Sequence, residues 1–320
     1  MNERVRQFRR ISSALAVTAC LLLLSACEGG YSSFMDPQGP IAASQKEHML
    51  RLIGVTLIAV VPVLVLVPIL LWRYRYRNLK ARYTPDWGFS GRLDLAMWGV
   101  PFLIIVLLSI QLWLNTKEND PYKPIPSTVP ALQVQVVGLD WKWLFIYPEY
   151  DIGSVGELVF PSDRPVALRL TSDTVMQSFM ISALAGQIYT MPGMETQLHL
   201  KASRPGQFKG ENTQFNGIGF THQKFRARAM TTPDFDQWVR SVKTHGVPLN
   251  DATYRLLAKR STVTEARAAL ATAAMPSDVL HFSPVRKQLY GEIMHRYHSG
   301  KPIAAEEQPG GARYQAPPAN

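Results

Sequence analysis

Two uncharged stretches, Leu52 to Trp72 (21 residues) and Leu95 to Leu114 (20 residues), restrict the fold of this chain more than any other feature. At about 1.5 Å per residue, each crosses a hydrocarbon core of about 30 Å as a helix. Lipid offers no partner to a bare peptide N–H or C=O, so the helix is the form such a stretch must take. Pro62, Pro68 and Pro101 fall inside these stretches, and membrane helices tolerate them. Trp72, Trp98 and Trp113 stand at or near the ends, where indoles favour the interface. The connecting segment, RYRYRNLKARYTPDWGFSGR, carries six basic residues and one acid. The positive-inside rule puts it in the cytoplasm, so both flanking parts of the chain are expected outside.

The same topology accounts for the charge. A net charge of +10 and a pI near 9.6 invite a nucleic-acid reading. However, residues 1–92 hold 12 bases against 5 acids, while the remaining 228 hold 22 against 19. The excess sits around the helices, and no nucleic-acid partner is expected. The N-terminus supplies four of those bases in MNERVRQFRR, followed by the apolar ISSALAVTACLLLL. Leu24-Ser25-Ala26-Cys27 then resembles a bacterial lipobox, in which the cysteine is acylated after cleavage. A plain signal peptide or an uncleaved anchor is the other reading. The chain has two cysteines, and Cys20 lies within the leader. With Cys27 lipidated, the mature chain has no thiol for a disulfide, a thiolate metal site, haem attachment or nucleophilic catalysis.

After the Pro-rich DPYKPIPSTVP the pattern turns to short strands. In ALQVQVVGLDWKWLFIYPE, Leu132, Val134 and Val136 share one face, and Trp141, Trp143, Phe145 and Tyr147 alternate after them. PVALRLTS, METQLHLKAS and KFRARAMTTP alternate too, with turn residues in PSDRP, MPGM, SRPG and NGIG. Strands at this spacing predict a β-sandwich or barrel. Beyond DFDQWVR, DATYRLLAKRSTVTEARAALATA and SPVRKQLYGEIMHRYHSG have helical spacing. The last twenty residues, rich in Pro, Gly, Ala and Gln, predict a disordered tail. There is no internal repeat.

Two helices followed by a sandwich bearing VVGLDWKWLFIYPE, SFMISALAGQIYTMPGMETQLHLKASRPG and FDQWV resemble subunit II of the haem-copper respiratory oxidases over residues 24–245. The resemblance implies a cupredoxin-like outer domain. In the cytochrome c oxidase branch that domain holds two coppers on two histidines, two cysteines, a methionine and a carbonyl, most of them in a Cys-x-x-x-Cys-x-x-x-His loop. Here GENTQFNGIGFTHQ occupies the loop. On the family pattern Asn212 and Asn216 stand at the bridging cysteines, Gln214 at the carbonyl, Phe220 at the second histidine, Gln223 near the methionine, and Gln177 at the first histidine. Amides do not replace the soft thiolates that hold such a pair. The resemblance therefore implies the quinol oxidase branch, of the cytochrome o ubiquinol type. No metal or other cofactor is then expected in this chain. Haems and copper belong to subunit I, with ubiquinol as the substrate of the complex and no role for cytochrome c. Subunits I, III and IV and membrane lipid are the expected partners.

Several residues have plainer roles beside the functional ones. Without copper, Trp141 and Trp143 are expected to pack the core and contact subunit I rather than admit electrons. His199 on a strand and His222 beside Gln223 make at best a weak metal site. His295 and His298, three apart on a predicted helix, are spaced to meet a metal, although a solvated helix face is the plainer reading. Asp94 opens the second helix at its cytoplasmic end, where the resemblance implies entry to a proton channel; an ordinary helix-terminal acid is the alternative.

The expected organisation is a lipoprotein signal peptide (1–26), an outer N-terminal segment (27–48), membrane helices (49–72 and 93–115) joined by a cytoplasmic loop (73–92), a periplasmic copper-free cupredoxin-like domain (116–240), a helical C-terminal extension (241–300) and a tail (301–320). The expected setting is a bacterial inner membrane, and the expected role is that of a subunit without redox centres in a proton-pumping ubiquinol oxidase. Two readings stay open beside it. One is a non-catalytic membrane lipoprotein that binds a partner or aids oxidase assembly. The other is a cytochrome c oxidase subunit II, against which the cysteine count argues.

Overall fold

A computed structural model describes residues 34–76, 78, 80–81, 88–270, 279–298, 303 and 306–307 of the 320. Helix α1 spans Pro40–Arg73 and α2 spans Gly91–Glu118; the two pack against each other. Both are long and apolar enough to cross a membrane. Their hydrophobic side chains, Leu64, Leu71, Trp98 and Phe102 among them, are exposed on the protein. Helices this apolar and uncovered need lipid or partner chains around them. At the helix ends the Arg75 guanidinium lies 5.2 Å from the Trp72 ring centroid and the Lys117 ammonium 4.7 Å from that of Trp113. These cations mark the levels where the chain leaves the apolar layer.

At about 1.5 Å per residue, the 34-residue α1 is longer than a bilayer core needs. Its outer end is instead held by the sandwich. Gln38 N donates to Ala183 O (2.7 Å), Ala42 N to Leu184 O (3.2 Å), and Arg204 Nε to Gln38 Oε1 (2.7 Å), with Ala42 fully buried.

The outer part consists of two packed sheets. Its strands are β1 Leu132–Leu139, β2 Lys142–Tyr147, β3 Ile152–Val155, β4 Glu157–Pro161, β5 Val166–Ser172, β6 Gln177–Ile181, β7 Ala185–Thr190, β8 Thr196–Leu200, β9 Gly206–Asn212, β10 Lys224–Met230, β11 Val247–Leu249 and β12 Leu280–Val285. One sheet runs β11-β12-β3-β2-β1-β5-β8 and the other β4-β10-β9-β6-β7. The pairs β1/β5, β4/β10 and β11/β12 are parallel and the rest antiparallel. Between the sheets lie Val134, Val136, Trp143, Phe145, Phe179 and Phe225. Trp143 meets Phe179 edge-on at 5.2 Å, and Phe179 stacks on Phe225 at 5.1 Å.

Strand β2 is buried at every position. A sheet with one wet face would alternate, so its second face must be covered as well. Helix α3 Thr232–His245 follows β10 and adds Phe235, Trp238, Val239 and Val242 to the core between the sheets, while the cover of β2 is the C-terminal extension after it, with helices α4 Asp251–Ala258, α5 Val263–Ala269 and α6 Leu289–Arg296. Tyr254, Leu257, Leu289 and Ile293 form a second core with Val137, Leu139, Leu144 and Ile146. The side chain of Thr231 caps α3, and Thr262 with Glu265 forms a capping box at α5. The extension is more than helical, because it also gives the larger sheet β11 and β12. Residues 271–278, within the stretch expected to be helical, are outside the described residues, as are Leu24 to Cys27 and most of the expected tail.

Candidate functional site: an amide network at one end of the sandwich

Sheet register gathers the expected site residues. Gly138 pairs with Ser172 and Leu139 with Lys142, so the β1–β2 turn and the β5–β6 loop share one end of the sandwich. Gln177 opens β6, Asn212 closes β9, and Gln223 immediately precedes β10. Four of the six expected positions therefore converge. Gln223 is the centre: its Oε1 accepts from Asn212 Nδ2 (3.0 Å) and Asn216 Nδ2 (2.7 Å). Its Nε2 donates to Gln177 Oε1 (2.5 Å), Leu139 O (3.2 Å) and Lys142 O (3.3 Å). Gln177 Nε2 donates to Thr174 Oγ1 and Leu139 O, while Asn212 Oδ1 accepts from the backbone N–H of Ser178 and Gln214. Gln177, Asn212 and Gln223 are buried.

Gln214 joins only through its backbone N–H. Phe220 starts a 3₁₀ turn, Phe220–His222, and packs its ring on Phe215 (5.8 Å) instead of entering the network. His222 is exposed, and His199 binds the carbonyl of Pro121 through Nδ1 (3.0 Å). Among the described residues, no three His, Cys, Asp or Glu side chains come together to hold a metal. The convergent groups are carboxamides whose donors and acceptors are mostly committed to one another. That donor set does not fit a copper pair, which needs thiolate and imidazole.

The two tryptophans part company. Trp143 lies in the core, whereas Trp141 occupies the β1–β2 turn at φ +67° and covers the loop. A bulky residue at positive φ is unusual. The contacts made there offset its cost: the indole Nε1 donates to Asn216 O (3.4 Å), and the ring lies against Gly219. A Cβ at Gly219 would stand 2.0 Å from Trp141 Cδ2, so glycine is required for this approach. On the inner side a Cβ at Gly138 would meet Gln177 Oε1 at 2.6 Å.

Three buried charges surround the domain, and sequence patterning missed all three. Lys142 donates from Nζ to the carbonyls of Asp140 (2.9 Å), Lys259 (2.9 Å) and Ser261 (2.7 Å) and to Ser261 Oγ (2.9 Å). Burial pulls its pKa down to about 7, with Asp140 and Glu265 acting the other way. Asp173 is fully buried between Arg296 (2.6 Å), the Tyr254 hydroxyl (2.5 Å) and the Tyr297 hydroxyl (3.0 Å). Burial raises it to about 6 against those partners. Glu157 receives bonds from Arg228 (2.9 Å), Trp238 Nε1 (3.1 Å) and His281 (2.8 Å). Burial would raise Glu157, but His281 and Arg228 prevail and hold it at about 2. One signal was available: Lys142, Leu144 and Ile146 alternate with the core aromatics, and two apolar residues of three on that face betray a second cover.

The fold and this site define a class: membrane-anchored, cupredoxin-like subunits of respiratory oxidases. Residues 152–227 match the family described as cytochrome c oxidase subunit II, periplasmic domain. The chain is 45% identical to cytochrome bo(3) ubiquinol oxidase subunit 2 of Pseudomonas putida over 241 residues, 75% of this chain and 76% of that protein. It is 38% identical to the protein of the same name from Pseudomonas aeruginosa (92% and 85% covered) and 36% identical to ubiquinol oxidase subunit 2 of Acetobacter aceti (93% and 90%). The chain belongs to the ubiquinol oxidase subunit 2 family.

Proposed function

We propose that the chain serves as the second subunit of a proton-translocating ubiquinol oxidase and carries no redox centre of its own. The amide network is the observation that carries this reading. Where a copper-bearing relative needs soft, deprotonated ligands, this chain has neutral amides bonded to one another. Electrons from quinol then reach the haems and copper of subunit I without passing through this domain. The complex reduces oxygen to water, and the chain's part is to brace subunit I from the outer side through its helices and its sandwich. Subunits III and IV complete the assembly. The setting is the bacterial inner membrane with the sandwich in the periplasm, in keeping with the basic loop between the helices. Cys27 adds a lipid anchor, for which a diacylglyceryl cysteine at the mature N-terminus is the mass-spectrometric signature.

Asp94 lies in the first turn of α2, with its N–H bonded to Ser90 O (2.9 Å) and its side chain exposed on this chain. In this reading the carboxylate faces subunit I at the cytoplasmic rim and passes protons inward, as acids placed at membrane helices commonly do.

Copper reconstitution tests the central claim. The purified full chain, unfolded and refolded with excess copper and then dialysed, is expected to show no two-copper centre and no visible thiolate charge-transfer bands. Two coppers per chain with a purple colour would overturn the reading.

A further inference from the structure

We propose that His295 and His298 form a surface site for a divalent cation of the zinc or copper type, closed by the β7–β8 turn. His295 lies in the last turn of α6 and His298 in the turn that follows it, both outside the amide network and remote in sequence from it. Their Nδ1 atoms are 3.2 Å apart, and their rings are perpendicular with centroids 5.0 Å apart. Two imidazole nitrogens at about 2.0–2.1 Å from one metal and 3.2 Å from each other subtend about 100° at the metal, close to a tetrahedral angle. The end of the helix and the turn after it have thus already set the spacing of half a coordination shell.

The third contact decides which nitrogen is available. His298 Nε2 lies 3.0 Å from the carbonyl of Gly193. A carbonyl only accepts, so Nε2 carries the proton and Nδ1 of the neutral ring presents a lone pair. This is the arrangement of metal-ligating histidines, in which the far ring nitrogen donates to a backbone carbonyl and locks the tautomer. In the metal-free pair His295 donates Nδ1–H to that lone pair. When a cation enters, His295 moves this proton to its exposed Nε2, both Nδ1 lone pairs turn to the metal, and the aquo ion loses two waters. No net proton is released and no side chain is unpaired. Gly193 fits this role because its φ of +71° and its missing Cβ, which would lie 2.9 Å from Tyr297 Cβ, let the turn come up against α6.

The surroundings permit a cation. The neighbouring Arg296 points its guanidinium at buried Asp173, to which Tyr297 also bonds. Both histidines are exposed, so water fills the remaining positions. Two imidazoles with water make an exchangeable site, and imidazole selects zinc, copper or nickel over magnesium or calcium. Occupation ties the end of α6 to the β7–β8 turn, so the folded form gains stability with metal concentration.

The test is calorimetric titration of Zn²⁺ into the full chain, purified in detergent without a polyhistidine tag, alongside His295→Ala, His298→Ala and the double variant. One Zn²⁺ per wild-type chain is expected, weakened at least about tenfold by either single substitution and abolished in the double variant. The melting temperature should rise with Zn²⁺ in the wild type only. Cu²⁺ at one equivalent should give electron paramagnetic resonance coupling to two nitrogens, reduced to one in each single variant. A wild-type chain that takes up no Zn²⁺, uptake that survives in the double variant, or single variants that bind as the wild type does would each overturn the proposal.

Discussion

Replacing Gln223 by Met keeps the length and approximate volume of the side chain while removing all five of its hydrogen bonds. Two of the partners left behind, Gln177 Oε1 and Asn212 Nδ2, belong to buried residues with no water to turn to. Each such orphan costs about 1–3 kcal/mol. Asn216 is half-buried and regains solvent at little cost, while the apolar thioether recovers about 1 kcal/mol by its own burial. The net expectation is a loss of about 3 kcal/mol, or a fall of about 6–12 °C in melting temperature for a domain of this size. Near-UV circular dichroism of the detergent-purified chain reads the sandwich through its core aromatics. Asn216→Ala is the control: it removes only one bond to Gln223 and should move the midpoint by no more than about 3 °C. If Gln223→Met melted within about 2 °C of the wild type, the network would be a passive filling of the loop, and its claim to hold this end of the sandwich would fail.

Glu157 has a folded pKa depressed from 4.5 to about 2. The unfolded chain therefore binds more protons between those values, and the stabilisation, present in full above pH 4.5, is lost as pH falls towards 2. It amounts to roughly 3 kcal/mol. Glu157→Gln should lower stability at neutral pH and flatten the acid limb of the unfolding profile; an unchanged limb would show that Arg228 and His281 do not hold the carboxylate. Asp94→Asn in the assembled oxidase should leave assembly and haem spectra intact while slowing turnover several-fold, and Asp94→Glu should restore it. Wild-type turnover in the Asn variant across the pH range would leave Asp94 a plain helix-terminal charge.

The membrane helices and the two-sheet outer part were legible because each repeats a simple rule. An uncharged run of twenty residues or a period of two survives any detail of packing. Within the site, Gln177, Asn212, Asn216 and Gln223 came from the family resemblance, on which they stand at copper-ligand positions, and the structure brings their side chains together. Phe220 had the right spacing but the wrong chemistry for the network, and it stacks on Phe215. Trp141 escaped because a strand pattern does not reveal a two-residue turn at positive φ, so its alternation with Trp143 read as one continuous face. The strands of the extension escaped for a different reason. Val247–Leu249 is short, and LHFSPV contains a proline, which demotes a segment as a strand unless it lies towards an edge. β12 is the last strand but one, with only the three-residue β11 beyond it.

The buried charges explain why the extension is integral to the sandwich. Lys142, Asp173 and Glu157 all belong to the segment before the extension, and each is satisfied at least in part from within it: Lys142 by the carbonyls of Lys259 and Ser261, Asp173 by Tyr254, Arg296 and Tyr297, and Glu157 by His281. A buried charge that loses its partner costs about 3–5 kcal/mol, far more than the intact pair contributes. Removing the extension would strip Asp173 of its charged partner, take three of four acceptors from Lys142 and His281 from Glu157, and uncover the second face of β2 together. The apolar second face and the three charges thus act in the same direction. Neither tolerates water, and the extension excludes water from both.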